Sequence, residues 1–222
     1  MWNALLAGTG VLMLATLYMV FRVVPTDVNL GVVQRIFYLH VPIALVSFLA
    51  FAVVFVASIL HLVRGKQRWD TLAYAAAEIG VVFATLMLIT GILWAKPVWG
   101  VWWTWSPQLT TALILWFIYV AYLMLRAYVP QGAQGPRYAA VLGIIGFVDV
   151  PIVYMAAKWW RDVHPGAVVG PLAESGSLEP SMQLAFLVAL ATFTLLFVFL
   201  LVERYSLRQS EELLERMRHL YG

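Results

Sequence analysis

The chain has 222 residues, of which 63% are hydrophobic and only 11% charged, and its mean hydropathy is +0.87. A soluble domain of this length cannot bury that much apolar side chain, so lipid is the natural solvent. The net charge of +3 does not point to nucleic acid, because the basic residues stand beside the ends of apolar runs, where they orient a membrane chain. There is no cysteine, which excludes disulfides, thiolate metal sites and thiol redox chemistry and leaves histidine as the best transition-metal ligand.

A spanning helix needs roughly 20 apolar residues to cross about 30 Å of hydrocarbon. Six such runs occupy nearly the whole chain, so the expected fold is all-α, a polytopic membrane protein with six transmembrane helices in a single domain, 1–222. The first, about 2–24, opens at Trp2 without a basic leader or a small-residue cleavage site, reads as a retained helix, and stops at Pro25. The second covers about 36–63 and is followed by Arg64, Lys66 and Arg68; the third covers about 72–93 and leads into a tryptophan-rich loop. The fourth, about 110–129, and the fifth, about 138–157, flank a Pro/Gly turn at 130–136. A loop over 158–180 precedes the sixth, about 181–202, and a charged, helix-prone tail fills 203–222. With the N-terminus inside, the inner side holds Arg64, Lys66, Arg68, Arg126, Arg137, Arg204, Arg208, Arg216 and Arg218, and the outer side holds Arg22, Arg35, Lys96, Lys158 and Arg161. This excess predicts both termini in the cytoplasm, with 203–222 as a cytoplasmic helical tail on the membrane or on a partner.

The unusual residues fall in or beside the three outer loops, 25–35, 94–109 and 158–180. The segment WAKPVWGVWWTWSPQLT holds Trp94, Trp99, Trp102, Trp103 and Trp105, half of the ten tryptophans. An interfacial belt would spread such rings over all the helix ends. A cluster in one loop suits a platform for a large flat ligand, since indole offers wide contact area and few rotamers. His40, in RIFYLHVPIAL, stands near the outer boundary with Pro42 opening or kinking the helix beside it. His164 lies in the outer loop behind Trp159, Trp160 and Arg161. Either histidine alone is an ordinary interfacial residue. Together, beside indoles and the cations Arg35, Arg161, Lys96 and Lys158, they meet the demands of haem: two axial nitrogens, aromatic packing on the porphyrin, and positive charge for propionates. His61 and His219 sit at inner positions with nothing around them that suggests chemistry. Two acids fall within spans: Asp149, just before Pro151, suits a supporting role beside the outer site, and Glu78 lies toward the inner end of its helix.

The segments WGVWWTWSPQLTTALILWFIYVAYLMLR, DVPIVYMAAKWWRDVHPG and RIFYLHVPIAL resemble the cytochrome c maturation protein C family of haem-handling membrane proteins, and the likeness covers nearly the whole chain. The resemblance implies that haem b is held at the outer face of a bacterial inner membrane, with His40 and His164 as axial ligands, Trp94, Trp99, Trp102, Trp103 and Trp105 as platform, and Arg35 and Arg161 nearby. It implies a presenting scaffold rather than an ordinary enzyme, which passes haem to a membrane-anchored haem chaperone beside subunits of an ABC-type transporter. Ser106 and Gln108 stand where that family usually has Asp and Arg, so no role of those charges carries over. The alternative is a secondary transporter or channel for haem or another small solute. Two intramembrane acids and no paired broken helices make thin equipment for ion coupling. A third reading, a structural subunit that only recruits partners, expects protein without pigment.

Overall fold

The computed structural model describes residues 2–128, 134–160, 164 and 178–221. Over these residues it is all-α, with no strand, and contains six helical stretches long and apolar enough to cross a membrane. The elements are α1 (Trp2–Tyr18), closed by a π-helical turn Met19–Val23; α2 (Phe37–Arg64), led in by a 3-10 turn Val32–Ile36; α3 (Gln67–Trp99); α4 (Pro107–Tyr128); α5 (Gln134–Phe147); α6 (Asp149–Trp160); and α7 (Pro180–Tyr221).

α2 and α3 form the central hairpin. Gly65 ends α2 at φ 63°, a left-handed conformation in which its N–H reaches the His61 carbonyl at 2.8 Å and the chain reverses within two residues. Ala73, Ala76, Ala77, Gly80 and Ala84 keep the α3 face of the seam small, so the two backbones approach closely. Around the hairpin, α5 and α7 pack on α2, α4 and α7 on α3, and α1 on α7. Hydroxyls join helices where lipid offers no water: Thr16 donates to Thr192, 2.8 Å away, whose own proton goes to the Val188 carbonyl. The Trp116 indole N–H donates to Thr85 between α4 and α3 at 2.8 Å. At Gly80 an added Cβ would lie 2.7 Å from Cε1 of Phe51, a fully buried ring stacked on Tyr119 at 3.7 Å. Gly80→Ala is therefore expected to destabilise the bundle by about 1–3 kcal/mol. Thermal unfolding in detergent checks this against Gly10→Ala, where nothing lies within 4 Å.

Three features differ from the sequence expectation. α3 runs on through Trp94, Lys96, Pro97 and Trp99, so Trp94 and Trp99 belong to the helix and not to a loop. Pro97 removes one hydrogen bond in the final turn, but the helix stops only at Gly100, which takes φ 76° and donates to the Lys96 carbonyl. The fifth span is two helices. Pro151 has no N–H for the Phe147 carbonyl and crowds it, so the helix breaks at Val148, which donates instead to Ile145. Beyond the break α6 packs mainly on α4, whereas α5 packs on both α2 and α4. Finally, α7 shows no break at 202–203: its 42 residues form one helix of about 63 Å, roughly twice the hydrocarbon thickness.

The part of α7 past the span is held by charge. Glu78 of α3 receives Arg204 at 2.6 and 2.9 Å, Glu211 receives Arg204 and Arg208, and Thr71 donates to Glu212 at 2.8 Å. Asp70, buried, accepts from Arg126 of α4 at 2.8 Å, and the Tyr74 ring lies between the Arg126 and Arg208 guanidiniums at 5.3 and 4.2 Å. Sequence reading placed Glu78 near this end of its helix without a partner and did not single out Asp70.

Candidate functional site

The opposite end of α3 carries the site. A cavity of about 280 Å³ lies between α2, α3, α4 and α6, near the low end of the range of about 300–1,000 Å³ for small-molecule pockets. It exists because Ala44, Gly91, Ala95, Ala112 and Ala157 face it with little or no side chain. Its deeper wall is apolar, formed by Leu45, Phe48, Met87, Leu88 and Val153.

At the other wall the structure brings together His40 and His164, 124 positions apart in sequence, with Trp94, Trp99 and Trp103. The last turns of α3 serve both imidazoles. The Trp94 ring meets His40 edge-on at 5.8 Å, and Trp99, five residues further, meets His164 edge-on at 6.1 Å. His40 sits one turn inside α2, which stays helical across Pro42. Its Nδ1 lies 3.0 Å from the Thr90 hydroxyl. At the rim, the 25–31 loop is folded by Asp27, whose Oδ1 accepts from the backbone N–H groups of Asn29 and Leu30 at 2.8 Å each. These bonds hold the Asp27 carboxyl below the usual carboxylate range and place Leu30 on the cavity wall.

The remaining candidates lie elsewhere. Trp102 and Trp105 are 55% and 76% exposed and do not line the cavity. Lys96 fixes Trp102 on the outside, donating to the Gly100 carbonyl at 2.8 Å with its ammonium 5.7 Å from the Trp102 ring centroid. Arg35 turns to the Phe21 ring at 5.6 Å and is not a wall residue. Arg161 lies outside the described residues. Asp149 opens α6 with a buried Oδ2 that has no hydrogen-bond partner among the described residues, and it too is off the wall. Sequence reasoning missed Thr90 and Gly91, whose only signal was their place one helical turn before Trp94 on a long apolar helix.

The wall suits haem. Its apolar depth takes a macrocycle, the imidazoles offer nitrogen ligands, and the buried Nε1 atoms of Trp94 and Trp103, both without a hydrogen-bond partner among the described residues, are donors for an anionic edge.

Fold and cavity together define a polytopic helical membrane protein with an apolar ligand chamber, walled by histidine and tryptophan, at one end of its bundle. The chain belongs to the CcmC family: the model described as heme exporter protein C matches residues 1–219. Similar proteins include "Heme exporter protein C" of Bradyrhizobium diazoefficiens, 36% identical over 216 residues, covering 97% of this chain and 80% of that one. The protein of the same name from Escherichia coli K12 is 35% identical over 208 residues, covering 89% and 83%. A "putative cytochrome c biosynthesis ccmC-like mitochondrial protein" of Marchantia polymorpha is 30% identical over 187 residues, covering 84% and 79%.

Proposed function

We propose that this protein handles haem in cytochrome c biogenesis, holding it at the outer face of the bacterial inner membrane and presenting it to a membrane-anchored haem chaperone. The observation that carries this reading is the shared cavity of His40 and His164 over an apolar floor. The names of its relatives agree with the cargo. Haem b, which brings no covalent thioether link, suits a chain without cysteine. The two imidazoles would take the iron, Trp94, Trp99 and Trp103 would pack on the porphyrin, and the indole N–H groups of Trp94 and Trp103 would be donors for its propionates. Phe48, Met87 and Leu88 would offer apolar contact to the rest of the macrocycle. Trp102 and Trp105, exposed outside the cavity, would face the chaperone or the lipid headgroups. The reading makes the protein a scaffold that neither cleaves nor joins covalent bonds, placed beside ABC-type subunits of the maturation complex, with both termini in the cytoplasm.

Tryptophan substitutions divide the wall from the rim. Trp94→Ala and Trp103→Ala are expected to weaken haem retention by about tenfold each, from lost aromatic contact and burial. Trp102→Ala and Trp105→Ala are expected to leave retention within about twofold, since neither ring touches the cavity. Haem titration of purified protein measures retention. Mixing loaded protein with the chaperone and following the Soret band tests delivery, and a chaperone that stays colourless would contradict the proposal.

A further inference from the structure

The bond between His40 and Thr90 fixes more than a distance. A hydroxyl has one proton, and that of Thr90 is directed to carbonyl oxygens of its own helix, Leu86 at 2.7 Å and Met87 at 3.1 Å. A carbonyl only accepts, so the Thr90 oxygen has only lone pairs left for His40. With that proton on the helix, Nδ1 is the donor across the 3.0 Å contact, and the ring also bonds to the Met87 backbone carbonyl beside that hydroxyl, an oxygen that can only accept. A neutral imidazole with its proton on Nδ1 carries its free lone pair on Nε2. The next residue of α3 completes the seat: a Cβ at Gly91 would stand 3.1 Å from Cε1 and 3.7 Å from Nδ1 of His40, so any side chain there would push the ring back by a few tenths of an ångström. Trp94, one turn on, closes its side at 5.8 Å.

We infer that Thr90 is a positioning residue, which holds His40 as the Nδ1–H tautomer on the Gly91 seat and leaves Nε2 as its metal-binding nitrogen. Histidine ligands of metals characteristically donate their second ring N–H to a fixed acceptor, and here a hydroxyl anchored to the α3 backbone supplies it. The role of this tautomer rests on the haem reading above, but the tautomer itself does not.

The test uses the full chain in detergent with ring-15N,13C-labelled histidine. With four histidines in the sequence, the His40 signal is assigned by its loss in His40→Gln. Wild type and Thr90→Ser, which keeps the hydroxyl, are expected to show the Nδ1–H tautomer without haem, and Thr90→Val, of nearly the same shape, is expected to lose it. On haem titration, Thr90→Val should bind about 10–100-fold more weakly than wild type, with Thr90→Ser within a few-fold. Gly91→Ala, which moves the ring and keeps the hydroxyl, should also bind more weakly. An Nε2–H tautomer in the wild type, or Thr90→Val matching wild type in tautomer and haem binding, overturns the inference. Should the tautomer respond as expected while the wild type takes up no haem, the seat stands and the haem reading fails.

Discussion

His40→Ala is expected to remove nearly all the haem that wild-type protein carries through purification, a loss of more than tenfold in Soret absorbance per protein. Removal of one tryptophan costs about 0.5–1.5 kcal/mol of aromatic interaction beyond its burial, whereas removal of an axial imidazole deletes a coordination bond. The two histidines are also unequal. His40 is held within α2 and bonded to α3 through Thr90, so on the proposed reading its ring is in place before haem arrives. His164 stands past the end of α6 and packs on Trp99. His164→Ala is therefore expected to keep part of the pigment, with a shifted Soret band from an iron that has lost one axial ligand. Absorption spectra of the two variants beside wild type decide this, and unchanged Soret bands in both would remove the ligand assignment.

The second large effect lies at the other end of α3. The Asp70 side chain is 2% exposed and its partner Arg126 is 11% exposed. Asp70→Ala leaves the Arg126 charge buried without its carboxylate, at an expected cost of about 3–5 kcal/mol. Asp70→Leu combined with Arg126→Met removes both charges and should recover most of that loss, because a buried ion pair is stable mainly against the removal of one partner. Thermal unfolding in detergent reads the ranking: Asp70→Ala far below wild type, the double variant near it. The haem titration of the double variant should match wild type, since the pair stands several helical turns from the cavity. A double variant as unstable as Asp70→Ala would show that the pair contributes more than the compensation of two charges.

Much of this architecture is written in hydrophobicity, which counts spans well. Six apolar runs became six spanning stretches, because only lipid or a bundle interior can take such runs. Backbone details followed weaker signals. Pro42 reads in the sequence as opening or kinking its helix, yet α2 runs through it and α3 runs through Pro97, while the fifth run, which reads as one helix, breaks at Val148 ahead of Pro151. The sites near helix ends lose one hydrogen bond and little else, and surrounding packing decides the remainder. The candidate site was legible as a set of residue types. Its geometry was not, because which indoles turn inward depends on where α3 ends. Gly100 delays that end to Trp99, so Trp94 and Trp99 are held in the last turns of the helix, each against one imidazole, whereas Trp102 and Trp105 fall in the chain beyond and lie exposed. Thr90 and Gly91 carry no motif in the sequence, since their meaning arises only when α2 lays His40 against them.

The most direct measurement is electron–nuclear double resonance on haem-loaded protein labelled with 15N-histidine, frozen in the ferric state. Low-spin iron coupled to two histidine nitrogens, one of them lost in His164→Gly, with little iron signal left in His40→Gly, is the predicted result. An iron whose couplings survive both substitutions, or that carries no histidine nitrogen in the wild type, would contradict a haem held between these two rings.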